Sequence, residues 1–187
     1  MPTLRIVVFV MLCTIASGPA GPQSRPARGG AVEVKFRKVS AEQFFAQEAD
    51  GFPPAQNLAR GGLVKASSTH AEMEDPLTVL GGVRRRDVWA FNDDHGILEL
   101  AWPKPVEARY ILLFNRPEDF GDHWQAATLH VNGKRVATID LFRTGQVLIV
   151  DLGEIVPVRN VALNIKGVAR PGLVGLELHK RATTTNR

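Results

Sequence analysis

Cysteine is almost missing from this 187-residue chain: the only one is Cys13, set within an apolar run at 6–16. No disulfide framework is open to it, so a folded domain must rely on its core or on a bound metal. Long apolar runs are missing too. The run at 6–16 is shorter than the roughly 20 residues a bilayer crossing needs, which argues against a spanning helix there. Catalytic signatures are equally scarce. There is no Gly-x-Ser-x-Gly elbow, no Gly-rich phosphate loop and no His-Glu-x-x-His pair. Nothing in the pattern points to an enzyme.

What is present defines an address and a domain. Arg5, the run at 6–16 and the small residues Ser17, Gly18 and Ala20 form a secretory signal pattern, read as residues 1–20. An uncleaved anchor is the alternative. The mature protein is expected to be secreted or periplasmic, without a transmembrane segment. Residues 21–30, mostly Gly, Pro, Ser and Arg, read as a flexible linker. Over 31–56, Val32, Val34 and Phe36 alternate with charged residues, the signature of a half-buried strand. Ser40 with Gln43 then fits a helix-opening capping box. One strand and one short helix are expected, packed on the main domain.

The net charge of +4 first suggests an acidic partner, but its distribution argues otherwise. Residues 57–179 hold 14 Lys and Arg against 15 Asp and Glu, while the basic excess lies in the flanks, including a tail at 180–187. Nucleic-acid affinity comes from a basic face laid along phosphates, so no nucleic acid is expected as partner.

Beyond Asn57, Gly and Pro recur at short intervals, with short apolar runs between them. Leu98, Leu100 and Trp102 alternate with Glu99 and Ala101; Leu129 and Val131, and Val161, Leu163 and Ile165, alternate in the same way. Such runs predict an antiparallel β-sandwich rather than a βαβ fold. The segments at 110–114 and 147–150 are apolar on both parities, as strands covered on both faces would be. Asn132 and Gly133 between two such runs predict a two-residue hairpin turn.

The stretch NLARGGLVKASS at 57–68, with VLGG at 79–82, Trp89, GILELAW at 96–102, FNRP at 114–117 and GLEL at 175–178, resembles the discoidin, or coagulation-factor type C, domains in a divergent bacterial branch. The resemblance covers roughly 57–179. It implies an all-β, antiparallel jelly-roll β-sandwich of the galactose-binding-like type, with the strand and helix at 31–56 as an N-terminal extension. It also implies a binding module that takes carbohydrate on loops at one end of the sandwich. Aromatic faces there stack on sugar rings while polar side chains bond the hydroxyls.

The candidates on this chain are Trp89 and Phe91 with Asn92, Asp94 and His95, and Phe120, His123 and Trp124 with Arg116 and Asp122. The triple arginine at 84–86 borders the first group. Each has a plainer reading. The resemblance equally places Trp89 in the core, Trp124 is open to either an exposed or a buried position, and the arginine in FNRP braces loops in the family. No residue is assigned a catalytic role. The family also implies a structural calcium ion, for which Glu177 matches the usual glutamate, while Gly81 stands where an aspartate is common; calcium takes about six to eight oxygens. The rival readings are a protein or envelope scaffold, and a phospholipid-surface binder that would use loop tips and basic flanks.

Overall fold

In the computed structural model, which describes residues 34–71, 75–81, 88–117 and 123–182, the elements run as follows. β1 (Lys35–Ser40) leads into α1 (Ala41–Gln47), then come β2 (Leu63–Ala66), β3 (Trp89–Ala90), β4 (His95–Phe114), β5 (Trp124–Val131), β6 (Lys134–Phe142), β7 (Gln146–Gly167), β8 (Gly172–Leu173) and β9 (Gly175–His179). The expected leader and linker, residues 1–20 and 21–30, lie outside the described residues, as does most of the basic tail, 183–187.

Two long strands organise the sandwich. β4 and β7 pair antiparallel along most of their lengths, and the register shifts between Ala101 and Val106. Pro103 and Pro105 fall in that shift. Proline has no N–H for a ladder and is tolerated where pairing breaks, so the two strands can bend there from one layer into the other. The first layer runs β2, β4 (95–101), β7 (160–167), β5, β6. The second runs β9, β4 (106–114), β7 (147–158), β1.

The alternating runs face inward as their spacing predicts. Leu98, Leu100, Leu129, Val161 and Leu163 of the first layer meet Ile111, Leu113, Leu148, Val150, Leu176 and Leu178 of the second in one buried core. The segments apolar on both parities have both faces covered. Leu112, Phe114, Val147 and Ile149 point out of the sandwich into a second cluster with Phe44 of α1 and Phe52. The turn at 132–133 closes β5 onto β6, with φ of 51° at Asn132 and 75° at Gly133, the positive values such a turn needs.

The N-terminal extension is part of the sheet. β1 pairs with β7, and Ser40 Oγ accepts the backbone N–H of Gln43 at 3.0 Å, capping α1. Val34 is half-buried against the main core as expected, but Phe36 is not covered. Phe36 is 47% exposed and the buried residue is Val39, because β1 is an edge strand whose covered face is the one beneath α1. Phe44 then packs edge-on to Phe114 and stacks with Phe52. The outer face of the second layer is thereby covered over Val39, Phe114 and Val147, while no helix covers that of the first among the described residues.

Candidate functional site

Four segments converge at one end of the sandwich, around the small β3–β8 pair. The N–H of Gly167 donates to the Asp94 carbonyl (2.7 Å), that of Val168 to His123 (3.0 Å), that of Phe91 to Pro171 (3.1 Å), and that of His70 to Ala90 (3.0 Å). Loops 67–71, 91–95 and 167–171 and the entry to β5 are thus tied by backbone hydrogen bonds. Pairing across β3–β8 is so close that a Cβ on Gly172 would lie 2.0 Å from the Trp89 carbonyl oxygen. Only glycine fits there.

The aromatic residues expected to stack on a ligand are instead the braces of these loops. Trp89 is enclosed, its Nε1–H donating to Thr69 Oγ1 at 3.1 Å, and Phe91 meets it edge-on at 4.5 Å. Phe91 covers Gly96 so tightly that a Cβ there would sit 2.2 Å from the ring. Trp124 is also enclosed, donating from Nε1 to the Gly172 carbonyl (3.1 Å) and lying edge-on to Phe142. The reason is a bulge. From Ala127, Leu129 and Val131 inward, strict alternation would turn Trp124 outward with Ala126 and Thr128, but the register with β7 shifts between Trp124 and Ala126. That extra residue turns the indole into the core. Neither tryptophan can carry a sugar ring.

Arg116 is likewise buried, donating from Nη1 to the Arg170 carbonyl (2.8 Å), while its own carbonyl accepts from Gly145 (2.6 Å). It braces rather than contacts solvent, as the FNRP resemblance allows. Asn115 anchors the same turn, its side-chain amide donating to the Phe142 carbonyl at 2.8 Å. Phe120, Asp122 and the arginines at 84–86 lie outside the described residues.

What this end does present is polar. Asn92, Asp93, Asp94 and His95 are exposed on one loop, whose backbone is held by Ser68 Oγ accepting the Asn92 N–H at 3.2 Å. His95 Nδ1 lies 2.7 Å from Asp94 Oδ1, and its side chain is 75% exposed. The hydrogen bond to Asp94 raises the His95 pKa above the ordinary imidazole value, and the same bond lowers that of Asp94. The pair is therefore an imidazolium and a carboxylate over a wider pH range than either alone. His123 is half-buried and reaches the site through its carbonyl.

Lys166, Arg170 and Val168 complete the rim, all exposed. They escaped the sequence reading, although one signal was there: Asn164 and Lys166 occupy the outward phase set by Val161, Leu163 and Ile165.

Glu177 points into the second cluster, nearly out of solvent. His179 Nε2–H donates to its Oε2 at 2.8 Å, and Phe52 covers the His179 ring. Among the described residues no three His, Cys, Asp or Glu side chains gather around a common point. Gly81, standing where an aspartate is common, offers no carboxylate, and its carbonyl accepts from the Arg60 guanidinium. One carboxylate already engaged and a cation beside the loop fit a calcium ion poorly.

No protein-family model matches the sequence, and no curated sequence matches it. Solved structures do match in fold. A Bacteroides thetaiotaomicron protein described as an α-L-fucosidase superposes with a TM-score of 0.60 at 18% identity, covering 73% of this chain and 31% of its own. The chain thus spans about a third of that protein's length. A chitosan-binding module of a chitosanase/glucanase from Paenibacillus sp. IK-5, solved with chitotriose, matches at 0.56 and 12%, over 66% of this chain and 99% of its own. The family 32 carbohydrate-binding module of NanJ from C. perfringens, solved with galactose, matches at 0.53 and 14%, over 64% and 94%. At these identities the likeness establishes the fold: an antiparallel, galactose-binding-like β-sandwich.

Proposed function

We propose that the protein is a non-catalytic carbohydrate-binding module that takes glycan at the loop end. The observation carrying this reading is the crown of exposed hydrogen-bonding groups, Asn92, Asp94, His95, Lys166 and Arg170, held on a rigid frame of buried aromatics. Modules of the same fold were solved with galactose and chitotriose, which supports a sugar as the ligand here. A shallow polar crown without an exposed indole favours hydrogen bonding to hydroxyls over ring stacking. The affinity expected is weak, about 10 µM to 1 mM.

Export belongs to the same proposal, since polysaccharide ligands lie outside the cell. Among the described residues no helix is long and apolar enough to cross a membrane. A larger hollow, about 650 Å³, lies between β1, β7 and the segment 47–52. It serves the reading less well, because its charges already bond one another: Arg37 with Glu48, and Asp151 with Arg109.

A glycan-array screen of the full chain and of His95→Ala, with and without calcium, tests the reading. Binding that is lost in H95A supports it. A flat array from a folded sample overturns it and shifts attention to a protein partner, while capture by anionic liposomes would favour the phospholipid reading.

A further inference from the structure

The first layer's outer face carries a trough that the loop-end reading leaves unused. Its origin is a contrast in side-chain height. Cross-strand neighbours share a face, and two rows cross this sheet: His95, Lys166, Ala126 and Asp140, and beside them Ile97, Asn164, Thr128 and Thr138. Ala126 and Thr128 on β5 are short, with Ala162 and Glu99 paired in the next row. The taller Ile97, His95 and Lys166 stand along β4 and β7. The hollow between them measures about 430 Å³, within the range of about 300–1,000 Å³ usual for ligand pockets. Spanning four strands at about 4.8 Å spacing, it is roughly 14 Å long.

Its chemistry matches one class of occupant. Ile97, 44% exposed, and Ala126 offer apolar surface for the C–H face of a ring, while Thr128, Thr138, Asn164 and Lys166 offer hydroxyl, amide and ammonium groups for ring hydroxyls. The trough also opens directly into the loop end, since His95 and Lys166 belong to both. On the opposite layer much of the equivalent face is covered by α1, Phe44 and Phe52, and the charges of the hollow left beside them are paired.

We infer that the ligand is a linear oligosaccharide, held at the loop end by one unit and along the trough by its neighbours, so that the protein reads the interior of a polysaccharide chain rather than a lone terminal sugar. This rests on the carbohydrate reading above. Each added unit within the trough contributes contacts that a monosaccharide cannot make, and units beyond its length contribute none.

The test is titration calorimetry of the full chain with two probe series: N-acetylglucosamine through chitohexaose, and galacturonic acid through its hexamer. In the series that binds, affinity is expected to rise at least tenfold from monomer to trimer and then level off. Thr128→Arg, which fills the trough, should bring the oligomer down to the affinity of the monomer. Thr138→Arg, at a more exposed position, provides the same test should T128R fold poorly. Equal affinity for monomer and oligomer, or an oligomer affinity untouched by either folded variant, overturns the trough while leaving the loop-end reading standing. Binding by neither series, together with a flat glycan array, overturns both.

Discussion

Replacing Trp124 by alanine separates a structural indole from a ligand-stacking one. The side chain is fully enclosed, packs edge-on against Phe142 at 4.9 Å, and donates to the Gly172 carbonyl. Truncating a buried tryptophan to alanine costs about 3–5 kcal/mol through lost transfer energy and the cavity left behind. Losing the hydrogen bond, with a carbonyl left without its partner, adds about 1–3 kcal/mol. For a chain of this length each kcal/mol lowers Tm by about 2–4 °C, so Trp124→Ala should melt lower by about 10 °C or more, if it folds at all. Thermal and urea unfolding followed by circular dichroism provide the measurement. Trp124→Phe, which keeps much of the packing but not the donor, should fall between. A loss below about 1 kcal/mol in W124A would refute the buried placement and the bulge that explains it.

His95 offers a pH test through its partner. The Asp94 hydrogen bond raises the His95 pKa, so this contribution is complete below the ordinary imidazole range and is lost as pH rises through the raised folded value; on the Asp94 side it is lost as pH falls through the lowered one. Asp94→Asn should return His95 toward its ordinary value in an NMR titration, and an unchanged midpoint would contradict the pairing. Gly96→Ala must displace the Phe91 ring, costing about 1–3 kcal/mol and speeding amide exchange over 91–95. Phe44→Ala should cost about 3–5 kcal/mol by uncovering Phe114 and Phe52, measured by urea unfolding; a neutral result would mean that α1 does not cover these rings.

The sandwich was legible because its strands keep strict alternation where one face meets the core and lose it where both faces are covered. Leu98 with Leu100, and Ile111 to Phe114, illustrate the two cases. The hairpin at Asn132 and Gly133 was legible because its backbone needs residues that tolerate positive φ. Trp124 was not, since one bulge inverts every phase argument on its far side and leaves no mark in composition. Phe36 misled for a related reason: alternation tells which side chains share a face, not which face is covered. At the site, the polar loop 92–95 could be read directly, whereas the trough depends on which strands are neighbours. Thr128, Thr138, Asn164 and Ile97 lie far apart in the chain and meet only through the register of β4, β7, β5 and β6.

Mapping glycan contacts by NMR shows whether sugar sits at the loop end. With the isotope-labelled chain and a sugar that binds on the array, amide shifts are expected to concentrate at 92–95 and 164–170, with Asp94→Asn altering them. Shifts confined to β1, α1 and the hollow beside Asp151, with the loop end silent, would contradict the loop-end reading.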